Sequence, residues 1–181
     1  MSLIRRVAIR VDASTEMGMG HLMRCLSIAN ALADGGSEVV FLLRSHAAAL
    51  TTLIEAEGHK VRLLPDPPER RNDADAMDAR PTRWLPTTWQ RDAEQTLEAI
   101  GEMGRADWLI VDHYALDARW ERLQRQQVPR ILAIDDLADR PHDCDILLDQ
   151  NFVLHLETRY HGLLPAACRP KNGVPSSIVS W

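Results

Sequence analysis

The sequence predicts an α/β domain built on a Rossmann-like, doubly wound parallel sheet. Three observations predict it. Short apolar runs alternate with amphipathic stretches, a glycine-bearing turn separates the first run from the first amphipathic stretch, and acids or amides stand directly after several of the runs. With 181 residues, 45% hydrophobic and 26% charged, the chain suits one ordinary domain with a sizeable core.

Taken in order, Val7 to Val11 is a short apolar run ending at Asp12, and Ala13 to Gly20 is small, polar and glycine-bearing, which predicts strand and then turn. From Gly20 the period changes. Leu22, Leu26, Ala29 and Leu32 recur at three- and four-residue steps up to Gly35 and Gly36, predicting one amphipathic helix. Val39 to Leu43 is a second strand, His46 to Glu57 a helix closed by Gly58, and Val61 to Leu64 a third strand. Pro65 to Thr88 contains Pro65, Pro67, Pro68, Pro81 and Pro86 among many charges and is predicted to be a surface loop. The alternation resumes with a helix from about Trp89 to Met103, a strand Trp108 to Val111, a helix Ala118 to Gln127, and strands Ile131 to Ile134 and Ile146 to Leu148. The period fades after Asn151, so the folded domain is expected over residues 1–168. Residues 169–181 are expected to be an unstructured tail, and a second nucleotide-binding domain is expected to be absent.

Composition narrows the function. The net charge is −5 and the basic residues are scattered, which disfavours nucleic acid as a partner. The start of the chain lacks a long apolar segment and no run approaches a membrane span, so a cytoplasmic protein without membrane attachment is expected. Cys25, Cys144 and Cys168 are odd in number and widely spaced, forming neither a disulfide framework nor a zinc-type pair.

In a doubly wound sheet, ligands bind beyond the carboxyl ends of the strands. Those positions hold Asp12, then Asp112, His113 and Tyr114, then Asp135 and Asp136, and finally Asp149, Gln150 and Asn151. Each aspartate alone reads more readily as a cap for the following helix than as a ligand, whereas His113 and Tyr114 supply groups that capping does not require. Gly18 and Gly20 allow a close approach of backbone to a sugar or anion oxygen. His21 lies in the first helical turn, where a neutral imidazole can serve as a general base. Arg24, three residues on, shares its face as a candidate anion-binding cation. The third glycine of a dinucleotide fingerprint is replaced by Met23 and no acid follows the second strand, so a nicotinamide cofactor is not expected. Phosphate-loop, nucleophile-elbow and zincin motifs are missing. Asp112, His113, Asp135, Asp136 and His142 contain metal-binding types, but at generic spacing.

Arg10-Val11-Asp12-Ala13-Ser14, Gly18-Met19-Gly20-His21 with Arg24, Asp112-His113-Tyr114, Asp135-Asp136 with Leu137 to Arg140, and Leu148-Asp149-Gln150-Asn151 occur in one order along residues 7 to 168. Together they resemble the PseG-type UDP-sugar hydrolases of pseudaminic acid biosynthesis. The resemblance implies the N-terminal half of a glycosyltransferase-B-like architecture and hydrolysis of UDP-2,4-diacetamido-2,4,6-trideoxy-β-L-altropyranose to UDP and the free sugar, with inversion and without metal or cofactor. It implies His21 as the base that activates water. Asp12, Gly18, Gly20, Arg24 and Tyr114 would contact substrate, and Asp112, His113, Asp135 and Asn151 would shape the site. In the family a second domain supplies most contacts to the uridine diphosphate. This chain is therefore expected to work with such a C-terminal domain or to self-associate, or else to be a non-catalytic sugar-binding half or a related nucleotide-sugar enzyme.

Overall fold

A computed structural model describes residues 5–12, 19–44, 50–66, 85–152 and 154–172. Among these residues seven parallel strands form one sheet: β1 (Arg6–Val11), β2 (Glu38–Arg44), β3 (Lys60–Leu64), β4 (Trp108–Asp112), β5 (Ile131–Ile134), β6 (Ile146–Asp149) and β7 (Arg169–Asn172). Their spatial order is β3-β2-β1-β4-β5-β6-β7. The chain winds outward from β1 in one direction, returns, and continues from β4 in the other. The sheet is thus doubly wound, with its topological switch point between β1 and β4. Register places Val11 beside Asp112, so the two strands end together at that point.

The apolar runs form strands because both faces of the sheet are covered. Every residue of β4, β5 and β6 is buried, as expected for central parallel strands under helices on both sides. Side chains of alternate residues enter separate cores. Val7, Ile9 and Val11 pack with Leu22, Cys25, Leu26, Ile28 and Ala29 of α1 (Gly20–Asp34) and with Ile54 of α2 (Thr51–Ala56). Ala8, Val40, Leu42, Leu109 and Val111 face the opposite way. They pack with Ala93, Ala99 and Ile100 of α3 (Trp89–Glu102), Trp120 of α4 (Ala118–Gln124), and Leu156 of α5 (Leu156–Arg159) with the adjacent Tyr160. Thr88 caps α3 by accepting a hydrogen bond from the Arg91 N–H, and Asp117 caps α4 through the Arg119 N–H.

The structure departs from the expected boundaries at α4 and in the tail. Helix α4 stops at Gln124, and Gln126 and Gln127 close a tighter turn through bonds to Leu123 and Gln124 carbonyls. The described helix α2 begins at Thr51; residues 45–49 of the expected helix lie outside the described residues. The expected unstructured tail is corrected over residues 169–172. They form β7, paired in parallel with β6 from Ile146↔Arg169 to Asp149↔Asn172. Only four residues pair, and one is a proline, so no hydrophobic period marks the strand; backbone pairing to an open sheet edge holds it. Residues 67–84 of the expected loop and 173–181 of the expected tail are outside the described residues.

Candidate active site at the switch point

Strand parity decides which strand-end acids face a ligand crevice and which become part of the frame. Asp12 follows Val11 and therefore falls on the α3/α4 side. There it is fully buried; Oδ2 accepts from Arg10 Nη2 at 2.8 Å and Oδ1 from the Arg44 N–H at 2.8 Å. Arg10 and Arg44 both reach Asp92 of α3. Arg10 donates through Nη2 at 2.7 Å and Nε at 3.3 Å, Arg44 through Nη2 at 2.7 Å and Nε at 3.0 Å, and Trp120 Nε1 adds a bond at 2.9 Å. All four charged side chains are fully buried, and their two positive and two negative charges cancel. Burial alone would raise the Asp12 carboxyl, but Arg10 and His113 hold it well below its ordinary value.

Asp112 has the opposite parity and meets α1. Its Oδ1 lies 2.5 Å from His21 Nδ1 and accepts from Arg24 Nη2 at 2.5 Å; its Oδ2 accepts from Arg24 Nε at 2.5 Å. The Cys25 thiol approaches Oδ2 at 3.6 Å. Burial would raise Asp112, yet the hydrogen bonds from Arg24 and His21 and their charges hold it below the ordinary carboxylate range. An ionised carboxylate only accepts hydrogen bonds, so the short Asp112 contact assigns the hydrogen of a neutral ring to Nδ1 and leaves Nε2 as the acceptor, with Arg24 Nη2, itself only a donor, 3.0 Å from the same Nδ1. The Tyr114 ring stands edge-on to the imidazole, with centroids 4.5 Å apart and planes at 81°. Together these contacts fix the imidazole in position and tautomer.

Arg24 also reaches Asp136 Oδ2 at 3.3 Å, and Gln150 Nε2 donates to the same oxygen at 3.1 Å. Tyr114 hydrogen-bonds Asp136 as well. Burial and that bond push its phenol up to about 12, so it remains a neutral donor at physiological pH. Arg24 is thus shared between two carboxylates rather than left unpaired for an anion. At the start of α1 the N-cap residue is Met19, whose side chain makes no capping hydrogen bond, and among the described residues nothing stands within 4 Å of where a Gly20 Cβ would be. Among the described residues no backbone contact at Gly20 demands glycine; Gly18 lies outside the described residues.

His113 is buried behind this layer. Its Nδ1 accepts from the Ala115 N–H at 3.1 Å, while Nε2 stands 3.4 Å from Asp12 Oδ2, a long contact. Burial lowers its basicity below the ordinary histidine value, keeping it neutral. Asp135 turns to the α3–α5 side and is clamped by Arg140 Nη1 at 2.6 Å and the Ala138 N–H at 2.9 Å. Asp149 accepts from the Asn151 N–H at 2.9 Å and from Tyr160 Oη at 3.2 Å, and the Asn151 side chain is exposed at the strand end.

The structure therefore brings His21, Arg24, Asp112 and Tyr114 into one constellation. Asp12, His113 and Asp135 lie in the frame beneath it, and Asn151 at its rim. Asp136 and Gln150, which the sequence places at strand ends without a role of their own, join the constellation, as does Cys25, which the sequence does not mark as a site residue. For Asp136 a signal was present: of two consecutive acids after a strand, only one can share the parity of Asp112. Among the described residues, no helix is long and apolar enough to cross a membrane, and no group of three or more His, Cys, Asp or Glu is arranged to hold a metal ion.

No family model matches the chain. Its sequence is 25% identical over 177 residues to the UDP-2,4-diacetamido-2,4,6-trideoxy-β-L-altropyranose hydrolase of Campylobacter jejuni, covering 96% of this chain and 52% of that protein. The chain thus spans about half the length of the curated relative it matches. Among solved structures, MurG of Acinetobacter baumannii superposes with a TM-score of 0.57 over 95% of this chain and 47% of that one, at 11% identity, which shows a shared fold. The chain is thus similar in sequence to a UDP-sugar hydrolase over about half of that protein, and it folds as a Rossmann-like α/β domain of the kind found in glycosyltransferase-B structures.

Proposed function

We propose that this chain carries the water-activating half of a hydrolase that cleaves UDP-2,4-diacetamido-2,4,6-trideoxy-β-L-altropyranose to UDP and the free sugar. The observation that carries the reading is the His21–Asp112 pair at the switch point. Asp112 takes the Nδ1 hydrogen at 2.5 Å and leaves Nε2 as a proton acceptor. In the proposed step, Nε2 takes a proton from water as the water oxygen attacks the anomeric carbon. The bond to the UDP oxygen breaks with its electron pair, and the configuration inverts. Asp112 stabilises the imidazolium formed, as an acceptor bonded to the other ring nitrogen. Tyr114 and Asp136 offer a donor and an acceptor to sugar hydroxyl or acetamido groups, and the first turn of α1, which its N-cap residue Met19 does not cap by a side chain, offers backbone N–H groups to an oxygen. Asp12 and His113 would act by positioning β1 and β4, not by touching substrate.

A second reading is favoured by the pairing of Arg24 with Asp112 and Asp136, which leaves the diphosphate without that cation. In that reading the chain binds the sugar and a partner domain or another chain supplies the UDP contacts and catalysis. UDP release from the purified chain, measured with chelator present and beside His21→Asn, tests both. Release that depends on His21 and survives chelator supports hydrolysis by this chain. Release unchanged by His21→Asn overturns the assignment of the base. Sugar binding without release supports the second reading.

A further inference from the structure

Cys144 precedes β6 and Cys168 precedes β7, and the pairing of these strands brings the two residues together although they are 24 apart in sequence. Their sulfurs lie 3.4 Å apart, with Cys144 buried and Cys168 half-buried. We propose that Cys144 and Cys168 are a redox pair that forms a reversible disulfide with a small-molecule disulfide as oxidant, fastening β7 to β6. The wide sequence spacing hid this, because only the strand pairing closes the loop between them.

Chemistry assigns each thiol a place in the exchange. Cys168 is the reachable one, and its contact with the Cys144 sulfur draws its thiol below the ordinary range. The same contact, with burial, pushes Cys144 up. The Cys168 thiolate attacks one sulfur of the external disulfide and expels a small thiolate, giving a mixed disulfide. Cys144 then loses its proton and attacks the Cys168 sulfur, expelling the second small thiolate. Two protein thiols thus lose two protons and two electrons, and the oxidant gains them as two small thiols. The loop closed by the bond contains Arg159, which donates to the Asp136 carbonyl at 2.5 Å, and Tyr160, which donates to the Asp135 carbonyl at 2.8 Å. The disulfide therefore ties the strand edge to the flank of the site that carries Asp136.

The test is incubation of the folded chain with oxidised glutathione, an acid quench, and intact-mass and peptide analysis, with Cys25 as the internal control because it is fully buried. The expected result is a chain two hydrogens lighter, with its three thiols reduced to one, Cys25. A Cys144–Cys168 cross-linked peptide is recovered, and Tm rises by about 10 °C from closing a loop of that length. Dithiothreitol reverses all three changes. Cys168→Ser, at a half-buried position, folds and shows neither the mass loss nor the Tm rise. A persistent glutathione adduct on Cys168, or three thiols left free at equilibrium, overturns the proposal.

Discussion

Asp112→Asn separates the two things that Asp112 does for His21 and Arg24. The wild-type carboxylate is fully buried and takes two N–H bonds from Arg24 and one from His21, each at 2.5 Å. Removing one partner of a buried ion pair costs about 3–5 kcal/mol. Arg24 retains Asp136 at 3.3 Å and lies at the cleft edge, so we expect about 2–4 kcal/mol here. For a chain of this length that lowers Tm by roughly 5–15 °C. The amide also changes the imidazole. If its oxygen takes the Oδ2 place and keeps Arg24 Nε, its NH2 takes the Oδ1 place, where it opposes Arg24 Nη2 and faces His21 Nδ1, which must then accept; the ring hydrogen moves to Nε2 and the base is lost. Imidazole 15N–1H correlation spectra read the tautomer directly, without substrate. Wild type should show the hydrogen on His21 Nδ1 and the variant on Nε2. A wild-type hydrogen on Nε2, or a variant with unchanged stability and unchanged tautomer, refutes the reasoning.

Asp92→Asn keeps the shape of the residue but leaves Arg10 and Arg44 with only Asp12 as a counter-charge in a fully buried cluster. Urea unfolding should show a loss of about 3–5 kcal/mol, and a loss under 1 kcal/mol would mean the cluster is hydrated in solution. Stability should also fall on acidification in two stages. His113 is held below its ordinary value in the fold, so the unfolded chain takes a proton first as pH drops below about 6.5. Asp12, Asp92 and Asp112 are also held low, so their contribution, full above about pH 4–5, is lost as pH falls further toward their folded-state values. His113→Gln should flatten the urea-midpoint difference between pH 7 and pH 5; an undiminished difference assigns the first stage to another group.

The alternation of apolar runs and amphipathic stretches made the sheet and its winding legible, because hydrophobic period reports which faces are buried. The Gly20–Asp34 helix and the strands around the switch point therefore lie where the pattern places them, whereas β7 has no such pattern and became visible only through its pairing with β6. The candidate site was legible as a set of strand ends. What the residue types did not reveal was the division of labour among the acids. That division follows from parity. Asp12 continues the alternation of Ala8 and Arg10 toward α3, while Asp112 continues that of Trp108 and Ile110 toward α1. Asp92 was invisible for a different reason. An acid on an amphipathic helix reads as solvated until the two buried arginines that surround it are placed by β1 and β2.

Charge at the switch point argues for what the chain alone can and cannot do under the proposed function. The buried cluster of Arg10, Arg44, Asp12 and Asp92 is neutral, so it projects little net field into the crevice. In the constellation itself, Arg24 faces both Asp112 and Asp136, leaving one excess negative charge before His21 takes a proton. Such surroundings suit an imidazole that must become cationic while it activates water, because the excess carboxylate offsets the charge as it forms. They do not suit a departing diphosphate, which needs donors and cations where its charge develops. Under the proposed function, the site within the described residues therefore serves the water and sugar side of the reaction. In the proposed hydrolase, the diphosphate side falls to residues beyond them, in keeping with a chain that spans 52% of its curated relative.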